Sequence, residues 1–118
     1  MSDPQPDAAD YLELLEQRLG QAEAQRRALS QAIADMRTAR SLTFADDEHD
    51  PEGSTVSLDQ ARDDALLART QRSLEELRDA RQRLDEGRYG RCERCSREIP
   101  AERLLARPEA RFCVPCSR

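Results

Sequence analysis

Apolar and long-chain residues recur three and four apart from Leu12 onward, through Leu15, Leu19, Ala22, Arg26, Leu29, Ile33, Met36 and Arg40. That alternation is a heptad seam, the signature of a helix that lays one face along a partner. A second, weaker seam runs Val56, Gln60, Asp63, Leu67, Thr70, Leu74, Leu77, Arg81 and Leu84, polar near its start and apolar at its end. Antiparallel pairing with partner numbers that sum to 96 sets Leu12 against Leu84, Leu19 against Leu77, Ala22 against Leu74 and Leu29 against Leu67. The register then folds the chain back at residue 48, a centre fixed to within about four residues. Two arms of about 30 residues at 1.5 Å rise each span roughly 45 Å.

The fold-back falls in the stretch FADDEHDPEG, Phe44 to Gly53, which holds five carboxylates and the sole histidine, His49. Asp50-Pro51 disfavours helix at Asp50, and Gly53 suits a helix break. Ser54, Thr55 or Ser57 can cap the second arm, and Ser57 with Gln60 has the spacing of a capping box. Gly87 can end that arm, with Arg81 and Arg83 suited to its negative C-terminal dipole. The bland account of the acidic turn is a solvated surface that keeps the arms from aggregating. The chain thus divides into a flexible N-terminal segment over 1–9, an antiparallel coiled-coil hairpin over 10–86 with an acidic tip near 44–53, and a separate module over 87–118.

Composition agrees with exposed helices and excludes a large core. The 118 residues are 37% apolar and 36% charged, with two Phe, two Tyr and no Trp. No run approaches a membrane span, and the N-terminus MSDPQPDAADYLELL lacks the positive start and apolar centre of a signal peptide, so the expected compartment is the cytoplasm. All 19 basic residues are arginine. From residue 87 onward eight Arg face four Glu, a charge of +4 that leaves −9 on residues 1–86 out of the total of −5. An acidic body repels phosphates, so sequence-specific DNA binding is not expected of it.

All four cysteines lie in RCERCSREIPAERLLARPEARFCVPCSR, where Cys92, Cys95, Cys113 and Cys116 read C-x2-C-x17-C-x2-C. Each C-x2-C knuckle brings two thiolates to one ion, and two knuckles complete a tetrahedron in a segment too small to fold by apolar burial. Four thiolates leave no coordination position for a reacting water, so one structural zinc ion is expected and catalysis is not. A disulfide pair or a redox dithiol has no export signal or βαβ pattern to support it. Arg91, Arg94, Arg97 and Arg111 flank the ligands and can offset the −2 charge of a zinc tetrathiolate. Pro100 to Leu105 has the look of a short helix, with Ile99, Leu104, Leu105 and Phe112 available to pack on the end of the second arm.

A mainly α chain with a long helical hairpin, an acidic turn and the stretch GRYGRCERCSREIPAERLLARPEARFCVPC closely resembles the DksA/TraR family of bacterial RNA polymerase regulators. The resemblance implies a zinc-finger transcription regulator that inserts its coiled-coil tip into the polymerase secondary channel and alters initiation without binding promoter DNA. The family tip carries D-x-x-D-x-A. Asp47-Glu48-His49-Asp50 supplies both aspartates but is followed by Pro51-Glu52, whereas alignment on Asp50-Pro51 loses the second acid. Asp50 is therefore the first choice for the acting residue and Asp47 the second, with Asp46 and Glu48 beside them. Arg103 and Arg107 match basic positions that serve the family's response to ppGpp, and Arg91 is a further candidate for rim or effector contact. Ser117 stands where a lysine is expected and the chain ends at Arg118, which puts a ppGpp site in doubt. A zinc-ribbon nucleic-acid binder using Arg88, Arg91, Arg94 and Arg97, or a coiled-coil scaffold, are the alternative readings.

Overall fold

The computed structural model describes residues 5–46 and 53–117. Two long helices, α1 (Ala8–Asp46) and α2 (Gly53–Asp85), form a hairpin and are followed by a short helix α3 (Ala101–Ala106) and a 3-10 turn over Pro115–Ser117. None of the described helices is long and apolar enough to cross a membrane. The hairpin and the four-cysteine region that follows it are the fold expected from the seams and the cysteine spacing.

The start of α1 is set by a reciprocal cap. The Asp7 amide donates to Asp10 Oδ2 and the Asp10 amide to Asp7 Oδ1, both at 3.0 Å, so two of the orphan donors of the first turn are satisfied. The helix accordingly begins at Ala8, where the sequence reading starts the hairpin at residue 10. At the other end of the hairpin α2 closes on a Schellman motif. Gly87, at φ +75°, donates to the Leu84 carbonyl at 3.2 Å, and Arg88 donates to the Arg83 carbonyl at 2.8 Å. Gly87 thus ends the arm as its position predicts, because the left-handed conformation carries no Cβ penalty there.

The start of α2 differs from expectation. Gly53 is its first residue rather than a break, and Ser57 with Gln60 lies inside the helix, so the expected capping box does not open it. The fold-back point at residue 48, with Asp47, His49 and Asp50, lies outside the described residues.

The chain forms two compact units, one of residues 1–21 with 74–118 and the other of residues 22–73. In the first, Leu15 and Ala80 are fully buried and Leu74 and Leu77 nearly so, which makes the apolar end of the second seam its helical core. In the second, Ala22 and Ile33 are buried, and the ion pairs Arg37–Asp64 at 2.8 Å and Arg40–Asp59 at 3.6 Å tie α1 to α2. Partner numbers sum to 101 and 99 in those pairs and to 97 in Arg81–Glu16 of the first unit, close to the register expected from the seams. The acids of these pairs reach solvent and Arg40 and Arg81 are half-buried, so each pair contributes about 1 kcal/mol or less and serves mainly to fix register.

Among the described seam positions two depart from the pattern: Met36 is 49% exposed and Gln60 is also exposed. Leu15 carries more weight. Leu15→Ala should lower the stability of the hairpin by about 2–5 kcal/mol, the range for emptying a full core position. The measurement is urea unfolding followed by helical circular dichroism; a midpoint equal to that of the parent would contradict the assigned packing.

Candidate metal centre

Four backbone segments converge on the sulfurs. Gly90 and Ile99 pair through an amide-to-carbonyl bond of 2.8 Å, Arg91 and Glu98 form an isolated antiparallel bridge, and Cys92 donates to the Arg97 carbonyl at 2.8 Å. The first knuckle turns back within this frame, with Ser96 at φ +65° donating to the Cys92 carbonyl at 2.9 Å. The second knuckle is a tight turn in which Cys116 and Ser117 both donate to the Cys113 carbonyl, at 3.1 and 3.0 Å. Glu93 joins the two. Its amide donates to the Arg111 carbonyl at 2.9 Å, and its carboxylate accepts from Arg111 Nε and NH2 at 3.0 and 2.8 Å.

The sulfurs of Cys92, Cys95, Cys113 and Cys116 all lie within 4.8 Å of one another. Cys95 Sγ and Cys113 Sγ, from different knuckles, are 3.7 Å apart. A tetrahedral ion with 2.3 Å zinc–sulfur bonds has edges of about 3.8 Å, whereas a disulfide needs about 2.05 Å. No disulfide joins the four cysteines, and the donor set fits one structural Zn2+. When bound, the ion supplies a closed cross-link between the knuckles.

The thiols are unequal without it. Burial pushes Cys92 up, but backbone amides of Cys95, Cys113 and Arg94 outweigh it and bring the thiol down to about 6. Cys116 is pushed up to about 12 by its hydrogen bond with Cys113 and by burial. An ion entering the site must displace the Cys116 proton, so loading releases protons and acid opposes it.

The module is held to the hairpin by a small apolar cluster. Cys92, Ile99, Leu104 and Cys113 are buried, and Tyr11, Tyr89, Ala110 and Phe112 pack against them. The rings of Tyr11 in α1 and Tyr89 meet at a tilt of 54° with centroids 5.0 Å apart, and the Tyr89 hydroxyl donates to the Pro108 carbonyl at 2.8 Å. Burial raises the Tyr89 phenol well above its ordinary range, so it stays a donor. Ile99 and Leu104 take the expected core places, but Leu105 is 48% exposed because α3 is only six residues long and turns one face inward. Sequence reasoning missed the tyrosine pair, whose members are remote in the chain. Arg83 lies in the last turn of α2 as the dipole reading expects, but its burial, at 6% exposed, and its reach to the Glu109 carbonyl at 3.4 Å were not signalled by the sequence.

Gly90 sits at φ +85°, and a Cβ there would meet Leu104 Cδ1 at 3.5 Å. Gly90→Ala should strain the first knuckle by about 1–2 kcal/mol and weaken zinc retention about tenfold. Competition with a chromogenic chelator measures this, and unchanged retention would contradict the role given to the turn.

Arg91 is exposed beside the first knuckle. Arg103 Nε donates to the Phe112 carbonyl at 2.9 Å, which holds the lead-in to the second knuckle. Arg107 is exposed, and its amide closes α3 on the Arg103 carbonyl at 2.7 Å. Arg94 and Arg111 lie 5.6 and 5.7 Å from the Phe112 ring centre, and Arg88 Nε donates to Glu86 at 2.8 Å. Asp46 is the last residue of α1, whereas Asp47, Glu48 and Asp50 lie outside the described residues.

Fold and site together define a helical hairpin bearing a C-terminal four-cysteine zinc finger. Residues 87–118 match the family model described as the prokaryotic dksA/traR C4-type zinc finger, in line with the resemblance read from the sequence. An uncharacterized protein of Aquifex aeolicus is 44% identical over 45 residues, 38% of this chain and 31% of that protein. General stress protein 16O of Bacillus subtilis is 38% identical over 68 residues, 58% of this chain and 42% of that protein. The chain therefore spans less than half the length of either relative. The solved structure of transcription factor DksA2 from Pseudomonas aeruginosa has the same fold, with a TM-score of 0.71 and 24% identity over 96% of this chain and 88% of that one.

Proposed function

We propose that this protein is a non-enzymatic, cytoplasmic regulator of transcription that docks on bacterial RNA polymerase and places its acidic turn in the secondary channel. The observation that carries this reading is a fold shared with a transcription factor across 96% of the chain, together with the dksA/traR zinc finger. Zinc folds the module at the base of the hairpin. The acids Asp46, Asp47, Glu48 and above all Asp50 occur where α1 gives way to α2. Carboxylates brought beside basic or metal-bearing elements near the polymerase active centre would change the stability of initiation complexes, whereas Arg91, Arg103 and Arg107 would meet the channel rim. No catalytic step by the protein is involved, and no sequence-specific DNA contact is required.

Co-sedimentation of the zinc-loaded chain with purified polymerase tests the partner. Saturable association that survives removal of DNA is the expected result. Association that depends on added DNA would instead favour the nucleic-acid reading, and a self-associating chain that ignores polymerase would favour the scaffold.

A further inference from the structure

Glu93 directly follows the ligand Cys92, and Arg111 lies two residues before the ligand Cys113. Four thiolates on one zinc ion leave a net charge of about −2, so a carboxylate placed beside them is unfavourable unless it does something else. The structure gives it a partner. Oε2 of Glu93 accepts from Arg111 Nε and Nη2 at 3.0 and 2.8 Å, and the Glu93 amide donates to the Arg111 carbonyl at 2.9 Å. One residue of the first knuckle thus grips the approach to the second through both side chain and backbone.

Phe112 completes the joint. The guanidinium carbons of Arg94, from the first knuckle, and of Arg111 lie 5.6 and 5.7 Å from its ring centre, and its carbonyl accepts from Arg103 Nε of α3 at 2.9 Å. Among the described residues, the backbone-to-backbone bonds from Cys113 onward stay inside the second knuckle. The Glu93–Arg111 pair is partly exposed and adds little stability by itself. What it can do is hold the two halves of the ligand set together, and contacts of this kind around a metal change its retention about 10–100-fold.

We propose that Glu93 and Arg111 are positioning residues of the metal centre, a clamp across the two knuckles that slows the loss of zinc. The rival role for Arg111 is to offset the charge of the tetrathiolate, and the two roles give opposite signs at Glu93. On charge alone, removing an acid beside a dianionic site tightens it. Removing half of a clamp loosens it. The inference is independent of the polymerase reading.

Zinc transfer from the loaded full chain to excess chromogenic chelator, followed over time, is the test. Glu93→Ala should release zinc about tenfold faster than the parent, with the near-ultraviolet dichroism of the two tyrosines in the loaded protein unchanged. Arg111→Ala should also release faster, and the double variant should match Arg111→Ala, because the second substitution finds no partner left to lose. The reversed pair, Glu93→Arg with Arg111→Glu, should release more slowly than either of its components alone, and it decides the matter if a single variant retains no zinc. Four results would overturn the proposal: release from Glu93→Ala no faster than from the parent, single effects that multiply in the double variant, a reversed pair no slower than its components, or collapse of the tyrosine signal in loaded Glu93→Ala.

Discussion

Replacing Cys113 with serine is expected to drop zinc content from one ion per chain to near zero and to unfold residues 87–117 while much of the hairpin stays helical. The reason is the size of the module's core. Beyond the cysteines themselves, Ile99, Leu104 and Pro108 are its buried apolar residues, and at about 25 cal/mol per Å² so few side chains cannot offset the ordering of some thirty residues. Structural zinc in comparable peptides binds with about 10–16 kcal/mol, and that binding energy is folding energy. The tyrosines give a direct readout. Tyr11 and Tyr89 are the only two in the chain, there is no Trp, and they touch each other, so their near-ultraviolet dichroism reports docking of the module on α1. The signal should collapse in Cys113→Ser and on chelation of the parent, with far-ultraviolet helicity largely retained. Zinc retained at one equivalent would overturn the four-ligand assignment.

The second large effect belongs to the acidic turn. Asp50→Asn removes one charge and keeps the shape, and the polymerase-docking elements of the proposed function lie elsewhere on the chain. The variant should therefore bind polymerase like the parent yet lose its influence on initiation complexes, and Asp47→Asn should have the smaller effect. A variant that binds and regulates as the parent does would reduce the acids to solvated surface.

Much of this architecture is legible in the sequence, and the exceptions share a cause. Leu15, Ile33, Leu74 and Leu77 are buried where a three-four alternation places them, because in a two-helix hairpin one face of each helix has a single partner. Met36 and Gln60 fail the pattern in the part of the hairpin where the seams carry Arg40 and Asp63 and ion pairs hold the helices. The four cysteines are readable because metal chemistry fixes both residue type and spacing. The burial of Arg83 and the Tyr11–Tyr89 contact are not, since tertiary packing of the finger on the helices decides them and no local pattern encodes it. Ala80 is fully buried and lies off the seam read from the sequence, because its small side chain marks a close helix contact that a search for bulky residues overlooks.

In the proposed function the acidic turn acts on polymerase. Decay of preformed promoter complexes, followed after competitor addition with purified polymerase and the zinc-loaded protein, tests it most directly. The parent is expected to change the complex lifetime several-fold, and Asp50→Asn, bound to the same extent, to leave it at the value for polymerase alone. Identical lifetimes with and without the bound parent protein would contradict it.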